Sequence, residues 1–368
     1  MIKKIIGVCV LVAILVYVAY PIIMGEDSYS PYPTDDSWQY DDYRSAKNVL
    51  SVDGALELVQ GDDATYIHAK DVGEGTINYK NGKTDIINVE KAKLDVFFAL
   101  GQSNNAYMSH DKTTATPVPM IGTAYYYGDA NAPTTGLYQP VDATMMPMSS
   151  INGVANIGDK APAFCANYNN ITHHKVYYVI GAWSSSSIDG WVPDRQYWNS
   201  AKTILSNAVD AVDTSLYELN YKGYTWIQGE ANGSMTVSEY MSKFLLMHEA
   251  ILAGDLGQVF DHCFISKVVS QYSGPSNAQI QLATQYDTIT LSTTIADTFT
   301  IANGLMASDG LHYTQAGDNL IGTALANSCA DWYAPESESM DVLHMIAPVI
   351  IAILAVAIIF FFWPRKID

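Results

Sequence analysis

The sequence predicts a three-layer α/β/α domain on a parallel five-stranded sheet, preceded by a small β-rich unit and flanked by two transmembrane helices. Three observations carry that reading. From Leu94 onward, short apolar runs alternate with segments whose apolar residues recur at helical spacing. Over 46–93 the pattern is instead the two-residue alternation of half-buried strands. At each end of the chain lies an uncharged apolar stretch close to the roughly 20 residues that cross a bilayer as a helix.

The first of these, Ile5 to Met24, follows Lys3 and Lys4. A cleaved signal peptide shares that positive start, but this apolar run is longer than a usual signal core and no small-x-small cleavage site follows it. An uncleaved anchor over 1–24 is therefore expected. The second, Met345 to Trp363, carries Ile, Ala, Val and Phe on every face and is closed by Arg365 and Lys366. Basic residues at both outer ends put both termini in the cytoplasm, or in a virion interior, and everything between them outside. Pro, Ser, Tyr and Asp dominate 28–43, so 25–45 reads as a stalk; 333–344 is an acidic linker.

The β-rich unit holds Ala55–Val59, Thr65–Ala69, Thr76–Lys80 and Thr84–Val89, with Asn81-Gly82 as a hairpin turn. It contains no catalytic candidate and reads as a spacer. In the domain over 94–332, strands are expected at Leu94–Leu100, Lys175–Gly181, Tyr221–Gln228, Cys263–Val269 and Thr294–Asp297. Helices are expected over Ala201–Leu216, Val237–Leu252, Ile280–Tyr286 and Ala316–Ala330. The patch Tyr125–Tyr127 reads as a strand.

Composition narrows the partners. A net charge of −19 argues against nucleic acid, whose phosphates need clustered Lys and Arg. The expected partners are a substrate and the lipid bilayer; a homo-oligomer is compatible with the sequence. Of four cysteines Cys9 falls in the first span, leaving Cys165, Cys263 and Cys329, which allow at most one intramolecular disulfide. Their spacing is not that of a zinc site, and no metal or other cofactor is expected. Asn170-Ile-Thr and Asn232-Gly-Ser are formal glycosylation sequons.

Ligands of an open parallel sheet bind beyond the carboxyl ends of its strands. After the first strand comes Gly101-Gln102-Ser103-Asn104, and after the second Trp183, Ser184 to Ser187 and Trp191. The third delivers Trp226-Ile-Gln228-Gly-Glu230-Ala-Asn232, and Asp309-Gly-Leu-His312 precedes Gly317 and the last helix. Alone, the first block is a turn and the last a helix-entry cap pair. Together, in this order, the blocks resemble the SGNH hydrolases over about 94–330, in the branch with sialate O-acetylesterases and carbohydrate esterase family six. The matching pieces are Gly-Gln-Ser-Asn, Trp-x-Gln-Gly-Glu and Asp-x-x-His.

The resemblance implies a flavodoxin-like α/β/α fold and an ester hydrolase acting on acetylated sugars, with Ser103 as nucleophile, His312 as base and Asp309 as its orienting acid. The chemistry fits those residue types: a serine hydroxyl needs a base, and imidazole titrates near neutrality. A carboxylate on the other ring nitrogen holds the tautomer. Oxyanion and substrate contacts are expected from the Ser103 and Ser185 N–H groups, Gln228 and Asn232, with Glu230, Gln102 and Asn104 around them. Trp183 and Trp191 are either a sugar platform or core, as is Trp198. One departure stands out: relatives carry Gly-Gly-Thr-Ser where this chain has Ser184–Ser187, and serine suits that turn only if φ is negative. The expectation is a membrane-anchored extracytoplasmic serine esterase; the rival readings are a catalytically weakened glycan receptor and an envelope or surface-layer protein.

Overall fold

The computed structural model describes residues 37–333 except 63, 109, 119, 130–131, 136–137 and 139. Both expected membrane spans, most of the stalk and all of the acidic linker beyond Tyr333 lie outside the described residues. Among the described residues no helix is long and apolar enough to cross a membrane.

Seven short strands build the N-terminal unit: β1 (Trp38–Gln39), β2 (Tyr43–Ser45), β3 (Val49–Gly54), β4 (Leu56–Gln60), β5 (Thr65–Ala69), β6 (Gly73–Tyr79) and β7 (Thr84–Glu90). They form a four-stranded sheet, β1-β7-β6-β3, and a three-stranded one, β2-β5-β4, closed over Trp38, Leu56, Ile67, Ile77 and Val89. Gly82 turns the β6–β7 hairpin at φ +84°, which glycine adopts without strain. The stalk expected through 45 is corrected here, because the chain is already a strand at Trp38. Trp38 is buried beneath the Arg44 guanidinium, 4.1 Å from its ring, and Tyr43 stacks on His68 at 4.3 Å. Aromatic burial decides this segment against its polar composition.

The main sheet has seven strands, not the five expected. They are β8 (Ala92–Gly101), β9 (Ala124–Gly128), β10 (Thr144–Pro147), β11 (Lys175–Ile180), β12 (Tyr217–Ile227), β13 (Cys263–Ser266) and β14 (Ile289–Thr293). Their order is β10-β9-β11-β8-β12-β13-β14, parallel except for the antiparallel edge strand β10. The tyrosine patch supplies β9, as expected, and β10 pairs with it. The last strand is Ile289–Thr293, while Ile295–Thr298 is a 3-10 turn rather than a strand.

Strand β8 shows why both faces need cover. Leu94, Val96, Phe98 and Leu100 point to one core, Phe97 and Ala99 to the other, and all are essentially inaccessible to solvent. On the second face lie α1 (Ala161–Thr172) and α5 (Gln315–Tyr333); on the first lie α2 (Gln196–Asp210), α3 (Val237–Leu252) and α4 (Ser273–Gln285). Helix α1 has no counterpart in the sequence expectation. Cys165, Cys263 and Cys329 are free thiols inside these cores.

The β unit docks on the amino-terminal edge of the main sheet. Lys175, which opens β11, pairs with the buried Asp42 at 2.9 Å and donates to Gly122 O at 2.8 Å. Tyr40 meets Tyr217, at the start of β12, edge to face at 5.0 Å, and the Tyr125 hydroxyl donates to Asp41. Helix α5 ends at that same edge: Trp332 stacks on His262 at 3.8 Å and Tyr333 donates to Asp261, just before β13. The described chain therefore starts and finishes at one pole of the domain, opposite the carboxyl edge of the sheet.

Candidate active site

At that carboxyl edge β8 ends on Gly101, with φ +125°; a Cβ there would lie 2.1 Å from Ile227 O of β12. Only glycine lets the two strands stay paired at this point. The chain then enters a single 3-10 turn, Ser103–Asn105, locked by neighbouring side chains. The Asn105 amide donates to Leu100 O at 2.7 Å, and Gln102 Oε1 accepts from Gly229 N and Ala231 N, both at 3.2 Å.

His312 Nε2 lies 3.0 Å from Ser103 Oγ, and its Nδ1 lies 2.6 Å from Asp309 Oδ2. The second carboxylate oxygen of Asp309 accepts from Leu311 N at 2.9 Å and His312 N at 3.0 Å. One aspartate thus both folds the loop and faces the ring, and Gly310 at φ +68° makes the tight turn between them. The His312 backbone N–H, then its ring, then the Leu311 N–H hold the Asp309 carboxyl down at about 2. Ser103 is almost wholly buried, whereas the ring of His312 is partly open to solvent. This arrangement can move a proton from a serine hydroxyl to an imidazole whose far nitrogen faces a carboxylate.

The loop after β11 runs alongside. Trp183 N donates to Gly101 O at 2.9 Å, and the turn closes through Ser186 N to Trp183 O at 3.2 Å. Ser185 sits in that turn at φ +58°, the left-handed region. Ser185 therefore occupies a conformation that glycine fits more readily, at a cost of about 1–2 kcal/mol for the non-glycine residue. The N–H groups of Ser103, Ser184 and Ser185 have no acceptor among the described residues. Ser186 is structural, donating its hydroxyl to Gly101 O at 3.1 Å and accepting from Trp191 Nε1 at 2.8 Å.

Not every residue expected at the site is free to act there. Gln228 is fully buried, and its amide donates to Ser186 O at 2.9 Å and Asn232 Oδ1 at 2.6 Å, which uses both hydrogens. It braces the two loops and has no proton left for an oxyanion. Gln102 is likewise turned to the loop after β12. Asn232 gives one hydrogen to Ser187 Oγ at 2.9 Å and keeps its second without an acceptor among the described residues. Asn104 and Glu230 hold each other, Nδ2 to Oε1 at 2.8 Å. Burial pushes the Glu230 carboxyl up, and its Oε2 is sealed off without a donor among the described residues.

Trp191 belongs to the core: 1% exposed, it packs edge-on against Trp226 at 5.6 Å. Trp198 is buried too, which leaves Trp183, partly exposed and tilted against Tyr197, as the tryptophan of the rim. Two supporting residues went unforeseen. Tyr240 of α3 donates to Gln228 O at 2.7 Å, and Gln279 of α4 donates to the same oxygen at 2.7 Å. Tyr240 comes from the helix that follows the Gln228 loop and Gln279 from one farther along the chain, and no local motif marks either.

Residues 93–331, more than half of the chain, match the family model described as carbohydrate esterase, sialic acid-specific acetylesterase. No curated protein matches the chain. Among solved structures, a protein of Arabidopsis thaliana aligns with 13% identity and a TM-score of 0.44, covering 66% of this chain and 98% of its own. A carbohydrate acetylesterase from Xanthomonas citri aligns with 15% identity and a TM-score of 0.42, covering 80% of this chain and 72% of its own. NanS aligns with 12% identity and a TM-score of 0.42, over 66% of this chain and 98% of its own.

Proposed function

The chain belongs to the carbohydrate esterase, sialic acid-specific acetylesterase family and is a carboxylic ester hydrolase, and from that premise we propose that it removes O-acetyl or similar acyl groups from carbohydrate through Ser103, His312 and Asp309. The observation that carries this reading is the 3.0 Å contact between Ser103 Oγ and His312 Nε2 with Asp309 on the opposite ring nitrogen.

In the proposed reaction His312 Nε2 takes the Ser103 proton as Oγ adds to the acyl carbonyl, and Asp309 stabilises the imidazolium. The oxyanion is met by the N–H groups of Ser103 and Ser185 and by the unengaged hydrogen of Asn232 Nδ2. Collapse returns the proton from His312 to the departing sugar oxygen and leaves acyl-Ser103. Water, deprotonated by the same imidazole, then adds to the acyl carbon; collapse expels Ser103 Oγ, which takes the proton back from His312, and the free carboxylic acid departs and loses its own proton to solvent. Trp183 is the residue proposed to pack against the sugar ring.

The left-handed Ser185 bears on the rival reading, a receptor with weakened catalysis. Serine at this position accepts the strain and keeps the glycine-type turn, so its N–H stays available. Ser185→Pro removes that N–H and fixes φ near −65°, and is expected to lower kcat by about 10²–10³-fold. Ser185→Gly suits the observed φ and is expected to retain far more activity than Ser185→Pro. Initial rates on an aryl acetate and an O-acetylated sugar measure both; equal rates for the two variants would remove Ser185 from the mechanism.

For location, we propose the topology read from the flanking apolar stretches, with both ends anchored and the domain outside. Entry and exit of the described chain at the pole opposite Ser103 support a site that faces away from the anchoring bilayer. Its substrate is then soluble glycan or glycan on an apposed surface.

A further inference from the structure

Asn104 follows the nucleophile directly and is nearly inaccessible to solvent, yet its side chain reaches the loop that bears the imidazole. Its Nδ2 donates to Leu311 O at 3.1 Å as well as to Glu230, and its Oδ1 accepts from Tyr313 N at 3.3 Å. These two backbone groups flank His312 on either side. Every other hydrogen bond of the 307–313 loop stays within that stretch, apart from the one between His312 and Ser103. Among the described residues, the polar attachment of this loop to the sheet therefore comes from two consecutive residues, Ser103 and Asn104.

We propose that Asn104 is a positioning residue that sets His312 against Ser103, and that Glu230 fixes the sense of its amide. A flipped amide would put Oδ1 against the Glu230 carboxyl and Leu311 O, and Nδ2 against the Tyr313 N–H, which is repulsive at all three contacts. With the amide held, one rigid turn defines both reacting atoms: Oγ directly, and Nε2 through the backbone on each side of it. Neither residue is then an oxyanion donor. Displacement of a reacting group by about 1 Å costs on the order of 10²-fold in rate, so a clamp on the loop has kinetic consequences even though it touches no substrate.

This inference rests on the Ser103–His312 reading, and the test separates the two. Full-length Asn104→Ala, His312→Ala and the double variant are compared on an aryl acetate. Asn104→Ala is expected to lower kcat about 10²-fold with KM nearly unchanged. In the His312→Ala background, adding Asn104→Ala is expected to change the residual rate by less than about twofold, because a residue acting through the imidazole has nothing left to position. A further large loss in that background, or an unaltered kcat for Asn104→Ala alone, overturns the positioning role. Full activity of His312→Ala overturns the underlying reading instead. If Asn104→Ala does not fold, Glu230→Gln and Glu230→Leu serve: the glutamine keeps the acceptor for Asn104 Nδ2 and is expected to retain clearly more kcat than the leucine. Equal kcat for the pair counts against the clamp.

Discussion

Alanine at position 103 is expected to lower aryl acetate turnover by roughly 10⁴-fold or more, with almost no change in melting temperature. The loss is large because, among the described residues, no other hydroxyl contacts His312 Nε2. Stability should hold because the turn does not depend on that oxygen. Asn105 ties it to Leu100, Gln102 ties it to the loop after β12, and Asn104 ties it to the His312 loop. Removing Oγ deprives only the imidazole, which is partly open to solvent and can be hydrated, so the stability change should stay within about 1 kcal/mol. Initial rates together with a thermal melt test both halves; wild-type turnover by the alanine variant contradicts the assignment.

Asp309→Asn should cost about 10³–10⁴-fold in kcat, through a tautomer rather than through lost packing. To keep the Leu311 and His312 N–H groups paired, the new side chain must offer its oxygen to them, which turns its NH₂ toward His312 Nδ1. That nitrogen must then accept, so the ring proton moves to Nε2, where it blocks transfer from Ser103. The native carboxylate has no such conflict. Its pKa, held at about 2, is lower than in the unfolded chain, so its contribution is present above the ordinary carboxylate range and lost only as pH falls through about 2. The pH–rate profile of the wild type should accordingly show no inflection from Asp309 above about pH 3. Near-native kcat for Asp309→Asn would mean the carboxylate does not set the tautomer.

The sequence made parts of this molecule legible for identifiable reasons. Buried parallel strands announce themselves as continuous apolar runs, so β8, β11, β12 and β13 were readable, and Ser103, Asp309 and His312 could be named because each sits in a short block at a strand or helix end. The antiparallel edge strand β10 and helix α1 were not readable, since neither carries a strong period. Residues 38–45 resembled a stalk because their tyrosines and aspartates look solvent-seeking until Tyr43 finds His68 and Asp42 finds Lys175. The roles of Gln228 and Trp191 depend on Ser186, which takes a hydrogen bond from each. No local pattern encodes that convergence. The serine run is the reverse case: the sequence exposed the conflict with a positive φ, and the fold tolerates it at Ser185.

The proposed activation of Ser103 by His312 is read most directly by a fluorophosphonate probe. Intact-mass analysis of the labelled full-length protein should give one adduct on the wild type, mapped to Ser103, and none on Ser103→Ala. Labelling of His312→Ala should be slower by about 10³-fold or more, since the probe requires the activated oxygen. No adduct on the wild type, or equal labelling with and without the imidazole, would contradict the account and favour a glycan-binding protein that keeps the fold without the chemistry.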